Sequence, residues 1–122
     1  MRIIVIDDQE AIRRLIRRTL ESRGYSVFEA SDGADGLRLL AQQAADLVIT
    51  DIFMPGLDGI ETLRQIRKEF PQVKVIVISG GDSTGTLDMR RDAEFLGAVR
   101  SLAKPFTTTE LVGLVEEVLG PR

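Results

Sequence analysis

Ile3-Ile4-Val5-Ile6-Asp7-Asp8 runs four apolar residues straight into two acids, and the same construction returns three more times along the chain. Asp51 follows Leu47-Val48-Ile49-Thr50, Ser79 follows Val73 to Ile78, and Lys104 follows Leu102-Ala103. Short apolar runs rich in Ile and Val read as strands buried on both faces, which is the habit of parallel sheets. Segments of helical period separate them, so the pattern is that of an α/β fold with crossover helices. Right-handed crossovers bring the carboxyl ends of parallel strands to one edge, where open α/β sheets hold their ligand crevice. Three carboxylates, a hydroxyl and an ammonium would then meet in one pocket.

Working outward from these runs, strands are expected at about 2–6, 25–29, 46–50, 73–78 and 99–103. The continuously apolar residues 3–6 and 75–78 mark central strands, whereas the mixed Tyr25-Ser26-Val27-Phe28-Glu29 reads as an edge. A first helix, about 9–22, places Ile12, Leu15, Ile16, Thr19 and Leu20 on one face and Arg13, Arg14, Arg17 and Arg18 on a solvated one. Gly24 stops it. Further helices are expected over about 34–43, from Gly59 to before Pro71, and over about 107–119 behind a threonine cap. Between Ser79 and Gly97, a glycine-rich stretch precedes a helix with only a thin stripe of Met89, Ala93 and Leu96. That segment is expected to be the least firmly packed and so the cheapest to switch.

Composition narrows the chemistry. The 122 residues suit one domain, and a net charge of -3 gives no basic footprint for nucleic acid or an anionic membrane. With no cysteine and no histidine, thiolate and imidazole metal sites and Ser-His or Cys-His catalytic pairs are excluded. No apolar run approaches the roughly 20 residues of a membrane span, and Met1-Arg2 leads directly into a strand, so a cytoplasmic location is expected.

Asp7, Asp8 and Asp51 at one edge would repel one another by several kcal/mol per pair at an effective dielectric near 20, a cost that calls for a cation. Oxygen ligands alone point to a hard ion, Mg²⁺ above all. An aspartate carboxylate can also serve as a nucleophile toward phosphorus, and Asp51 is the candidate. One metal ion, the Lys104 ammonium and the Ser79 hydroxyl would match the three equatorial oxygens of one phosphoryl group.

In Asp7-Asp8, in the loop Asp51-Ile52-Phe53-Met54-Pro55-Gly56-Leu57-Asp58-Gly59, in Ser79-Gly80 and in Gly97-Ala98 followed by Lys104-Pro105-Phe106, the chain resembles a response-regulator receiver domain of two-component signalling, over essentially all 122 residues. The resemblance implies a doubly wound, flavodoxin-like α/β fold with a five-stranded parallel sheet in order 2-1-3-4-5 and five helices. It implies Asp51 as phosphoacceptor, Mg²⁺ held by Asp7, Asp8, Asp51 and the Phe53 backbone carbonyl, Ser79 as switch hydroxyl, Lys104 as phosphoryl partner, and a cis Lys104-Pro105 bond. Partners would be a histidine kinase or histidine phosphotransfer protein and a downstream protein effector, with no direct nucleic acid or membrane contact and a monomeric or weakly dimeric state. A stand-alone receiver over 1–122 without an output domain is the expected organisation. Ser101 stands where an aromatic switch residue is common in that family. Neither Phe53 nor Gly81 offers a polar side chain to orient water, so a long-lived acyl phosphate is expected.

Other readings stand beside these. Asp7-Asp8-Gln9-Glu10 resembles a capping box, and Asp51 before Met54-Pro55-Gly56 resembles a turn former. A Mg²⁺-dependent aspartyl-phosphate phosphatase or phosphotransferase would use the same nucleophile. Such enzymes usually carry a second acid two residues later for proton transfer, and Phe53 occupies that position. The arginines of the first helix read as a solvated face or as a dock for a phosphohistidine donor.

Overall fold

The computed structural model describes residues 1–52, 59–79 and 97–120. Five parallel strands, β1 (Arg2–Ile6), β2 (Ser26–Ala30), β3 (Leu47–Asp51), β4 (Lys74–Ser79) and β5 (Arg100–Ala103), form one sheet in the order β2-β1-β3-β4-β5. The described helices are α1 (Glu10–Glu21), α2 (Gly33–Gln42), α3 (Gly59–Glu69) and α4 (Thr108–Leu119). This is the expected doubly wound order, with β2 at one edge. The helix expected between Ser79 and Gly97 lies outside the described residues.

Alternation along each strand splits the core into two halves. Ile3, Val5, Leu47, Ile49, Ile76 and Ile78 face one side, where they pack with residues of α1 and α4. Ile4, Ile6, Val48, Val75 and Val77 face the other and pack with residues of α2 and α3. Burial on both faces is why these strands are apolar without interruption. The register pairs Ile6 with Ala30 and with Thr50, and Asp51 with Ile78, so the strand ends arrive at the same level.

Local signals explain most boundaries. Gly24 adopts φ 92°, the left-handed conformation that lets the chain turn out of α1 into β2. Thr107 and Glu110 form a reciprocal capping box at the start of α4, the Thr107 side chain accepting from the Glu110 amide and the Glu110 side chain accepting from the Thr107 amide. Asp32 caps α2 by accepting from the Asp35 amide at 2.8 Å.

Three expectations need correction. Leu15 is 43% exposed, because α1 buries Ile16 and Leu20 and only partly buries Ile12. Arg13 is not on a solvated face, since its side chain is 16% exposed and paired with Glu29. The capping-box reading of Asp7-Asp8-Gln9-Glu10 also fails: Gln9 is the N-cap and makes no side-chain cap, while Asp7 Oδ1 accepts from the Gln9 amide at 2.9 Å. Asp7 lies outside the helix, turned toward the strand edge.

Candidate phosphoryl and metal site

Each chemically suited side chain stands at or just beyond a strand end. Asp7 follows β1, its amide donating to the Ala30 carbonyl at 3.1 Å, one step past the β1–β2 ladder. Asp51 ends β3 and Ser79 ends β4. Lys104 follows β5, its amide donating to the Ser79 carbonyl at 2.8 Å. The sheet therefore sets the spacing of all four groups through backbone hydrogen bonds, which leaves little for flexible side chains to decide.

Candidate ligand oxygens of Asp7, Asp8 and Asp51 lie within 4.8 Å of one another. Asp7 is 1% and Asp51 5% exposed, whereas Asp8 faces solvent. The Lys104 ammonium bridges the two buried acids, donating to Asp51 Oδ2 at 2.9 Å and to Asp7 Oδ2 at 3.2 Å. It also reaches Gln9 Oε1 at 3.2 Å. Ser79 is fully buried and its hydroxyl has no hydrogen-bond partner among the described residues. A buried polar group left in that condition is costly, and a ligand oxygen would relieve it.

Electrostatics point the same way. Burial pushes the Asp7 carboxyl above the ordinary aspartate value of 3.8; the Asp51 charge adds to this, and the Gln9 amide and Lys104 only partly offset it. Burial pulls the Lys104 ammonium down, but hydrogen bonds and charges from Asp51 and Asp7 outweigh it and hold the group above its usual 10.5. One ammonium therefore pairs with two of three clustered carboxylates. The oxygen-only donor set, with Asp8 open to water, fits a hard divalent cation that retains part of its hydration.

The structure thus brings together Asp7, Asp8, Asp51 and Lys104, with Ser79 at the end of the strand between β3 and β5. The Lys104-Pro105 bond is cis. Phe53, expected to offer its carbonyl, and Gly81 lie outside the described residues. Ser101 is half-buried in β5 opposite Val77. Three residues take part through contacts that the sequence did not indicate. Gln9 shares Lys104. Arg13 donates to the Asp7 carbonyl at 2.8 Å. Gly59 opens α3 against the end of β3, its amide donating to the Ile52 carbonyl at 2.9 Å. Gln9, directly after the acidic pair, was the one with a positional signal.

A sheet in this order with acids and a lysine collected at its carboxyl edge defines a flavodoxin-like α/β domain with its polar site at the strand ends. The chain belongs to the response regulator receiver domain family, whose model matches residues 3–116. Among curated proteins it is 37% identical over 119 residues to Response regulator MprA of Mycobacterium leprae (strain TN), covering 98% of this chain and 51% of that one. It is 34% identical over 118 residues to Sporulation initiation phosphotransferase F of Bacillus subtilis (strain 168), covering 97% of this chain and 93% of that one. A solved response regulator receiver domain protein from Clostridium thermocellum superposes with a TM-score of 0.88 at 37% identity, covering 97% of this chain and 93% of that one. The chain spans about half the length of the MprA relatives it matches. No helix among the described residues is long and apolar enough to cross a membrane.

Proposed function

We propose that Asp51 accepts a phosphoryl group from a phosphohistidine donor, in a reaction that requires Mg²⁺, and that the phosphorylated chain signals by conformational change or passes the group on in a phosphorelay. The observation that carries this reading is the convergence of Asp7, Asp8 and Asp51 beside the bridging Lys104. In the transfer, an Asp51 carboxylate oxygen forms the bond to phosphorus as the phosphorus–nitrogen bond breaks, and the departing imidazole keeps the electron pair. Asp7, Asp8 and Asp51 would hold the Mg²⁺, whose charge would offset the crowded carboxylates and the incoming phosphoryl oxygens. Lys104 would then be free to leave Asp51 Oδ2 for a phosphoryl oxygen, and the Ser79 hydroxyl, without a partner among the described residues, would gain one. These new charge-assisted bonds supply the differential interaction that a switch between states requires.

The phosphatase reading predicts turnover, whereas this one predicts retention. Incubated with a small-molecule phosphodonor and Mg²⁺, the chain should gain one phosphoryl group by intact-mass measurement. EDTA and Asp51→Asn should each abolish the gain. Continuous release of phosphate from an ester, with no adduct on the chain, would favour the enzyme instead.

The donor's docking face falls on the neighbours of Arg13 and Arg17 in this reading. Arg13 and Arg17 are both tied to Glu29. Beside Lys104, a cleft of about 280 Å³ is lined by Ile12, Leu15, Pro105 and Phe106, and Arg14 and Arg18 flank the exposed Leu15. Leu15→Glu is expected to slow transfer from a histidine phosphotransfer domain about tenfold, the cost of one lost apolar anchor. Its rate with a small-molecule donor should be unchanged. Equal slowing with both donors would contradict docking on this face.

A further inference from the structure

Asp7 is held at every polar atom. Its amide donates to the Ala30 carbonyl, Oδ1 accepts from the Gln9 amide, and Oδ2 accepts from Lys104. Its carbonyl accepts from Arg13 Nη1 at 2.8 Å, and Arg13 Nε donates to Glu29 Oε1, also at 2.8 Å. This last attachment differs in kind, because it reaches the acidic turn from α1 and is braced on the edge strand β2. Burial raises the Glu29 carboxyl, but hydrogen bonds from Arg17 and Arg13 outweigh this and hold it below the usual glutamate value, so it stays ionised as a brace at neutral pH. The Asp8 side chain makes no hydrogen bond or ion pair among the described residues, so its direction follows the Asp7–Asp8 peptide plane that Arg13 holds.

We propose that Arg13, braced by Glu29, is a positioning residue that fixes the Asp7–Asp8 peptide and thereby sets the affinity of the acidic pocket for its divalent cation. The inference rests on reading the three acids as a cation site. A planar guanidinium can offer one N–H to Glu29 and another to the Asp7 carbonyl at once, whereas an ammonium at the same place is a point donor on a flexible stem. Outer groups that orient ligands are commonly worth ten- to a hundredfold in metal affinity.

A simpler effect of charge predicts the opposite sign. Removing a cation near three acids should tighten Mg²⁺ binding through space, while losing the brace should weaken it. The test is Mg²⁺ titration by calorimetry on wild type, Arg13→Lys, Arg13→Met, Glu29→Gln and Arg17→Met, with amide hydrogen exchange of the Asp7 to Gln9 turn in metal-free buffer. Arg13→Lys and Arg13→Met should bind about tenfold more weakly, and the Gln9 amide should exchange faster without metal. Glu29→Gln should show a smaller change of the same sign. Arg17→Met, which loosens the same ion cluster without touching Asp7, should stay within about twofold of wild type. Wild-type affinity with unchanged exchange in both Arg13 variants, or tighter binding in Arg13→Met, would overturn the proposal. Absence of Mg²⁺ binding in wild type would instead overturn the cation-site reading, and the proposal with it.

Discussion

Gly59→Ala is expected to lower the thermal midpoint by roughly 10 °C, taking about 3 kcal/mol for forcing an atom into a packed contact and about 3 to 4 °C per kcal/mol at this size. A Cβ at position 59 would stand 2.2 Å from the Asp51 carbonyl oxygen, 2.4 Å from Ile52 Cα and 2.8 Å from the Ile52 carbonyl oxygen. All three are backbone atoms of the strand end that carries the candidate phosphoacceptor. Relief requires either withdrawing α3, which breaks the Gly59–Ile52 hydrogen bond, or displacing Asp51 from Lys104. Stability and phosphoryl uptake should therefore fall together. Two other glycines calibrate the effect. At Gly36 the added atom meets the end of the Ile6 side chain at 2.2 Å, which a rotamer change relieves in part. At Gly113, inside α4, nothing lies within 4 Å, so Gly113→Ala should stabilise by about 0.5 to 1 kcal/mol. Melting curves followed by circular dichroism decide the matter, and a Gly59→Ala midpoint within about 2 °C of wild type would contradict the close packing described here.

Asp7→Asn should have the second large effect, and in the unusual direction of stabilising the protein without Mg²⁺. The folded-state affinity of Asp7 for its proton is raised, chiefly by burial. A carboxyl shifted this way contributes stability that is fully present below its unfolded value, near 3.8, and lost as pH rises through the folded value. At neutral pH the ionised group is a net cost that asparagine avoids; its one carbonyl oxygen can still accept from the Gln9 amide, while the bond from Lys104 to the second carboxylate oxygen is given up. The metal-free variant should melt above wild type at pH 7, and the gain should shrink as pH falls toward 4. Addition of Mg²⁺ should reverse the ranking. At a hundredfold over its dissociation constant, the cation stabilises wild type by about 2.7 kcal/mol, while the variant should gain little. A variant that melts below wild type without metal at pH 7 would show that the Lys104 pairing outweighs desolvation.

The fold was readable because its strands are short and apolar on both faces. Ile3 to Ile6 and Val75 to Ile78 can be satisfied only in the interior of a sheet, and that is where they lie. Strand limits moved by about one residue, with β2 at Ser26–Ala30 instead of 25–29, since a strand's end is fixed by its partner's register more than by its own residues. The acids and Lys104 were readable because each follows an apolar run. Arg13 was not, because helical period assigns it to the solvent side, and only the return of β2 brings Glu29 alongside to pair with it. Leu15 was misplaced for a related reason: a period of 3.6 gives the width of a stripe but not which margin of it the neighbouring element covers. Gly59 was legible as the end of the loop that begins at Asp51 and as the start of α3, but not its need for a glycine, which comes from a contact with Asp51 and Ile52 rather than from a backbone angle.

The proposed chemistry depends above all on one carboxylate oxygen of Asp51 being able to hold phosphorus within reach of Ser79 and Lys104. A crystal structure with Mg²⁺ and beryllofluoride, a stable mimic of the phosphoryl group, tests this directly. The predicted result is beryllium attached to Asp51, with one fluorine at hydrogen-bond distance from the Ser79 hydroxyl, another from the Lys104 ammonium, and Mg²⁺ among Asp7, Asp8 and Asp51. Beryllofluoride bound elsewhere, or an Asp51 that remains bridged to Lys104 in the presence of both reagents, would contradict it.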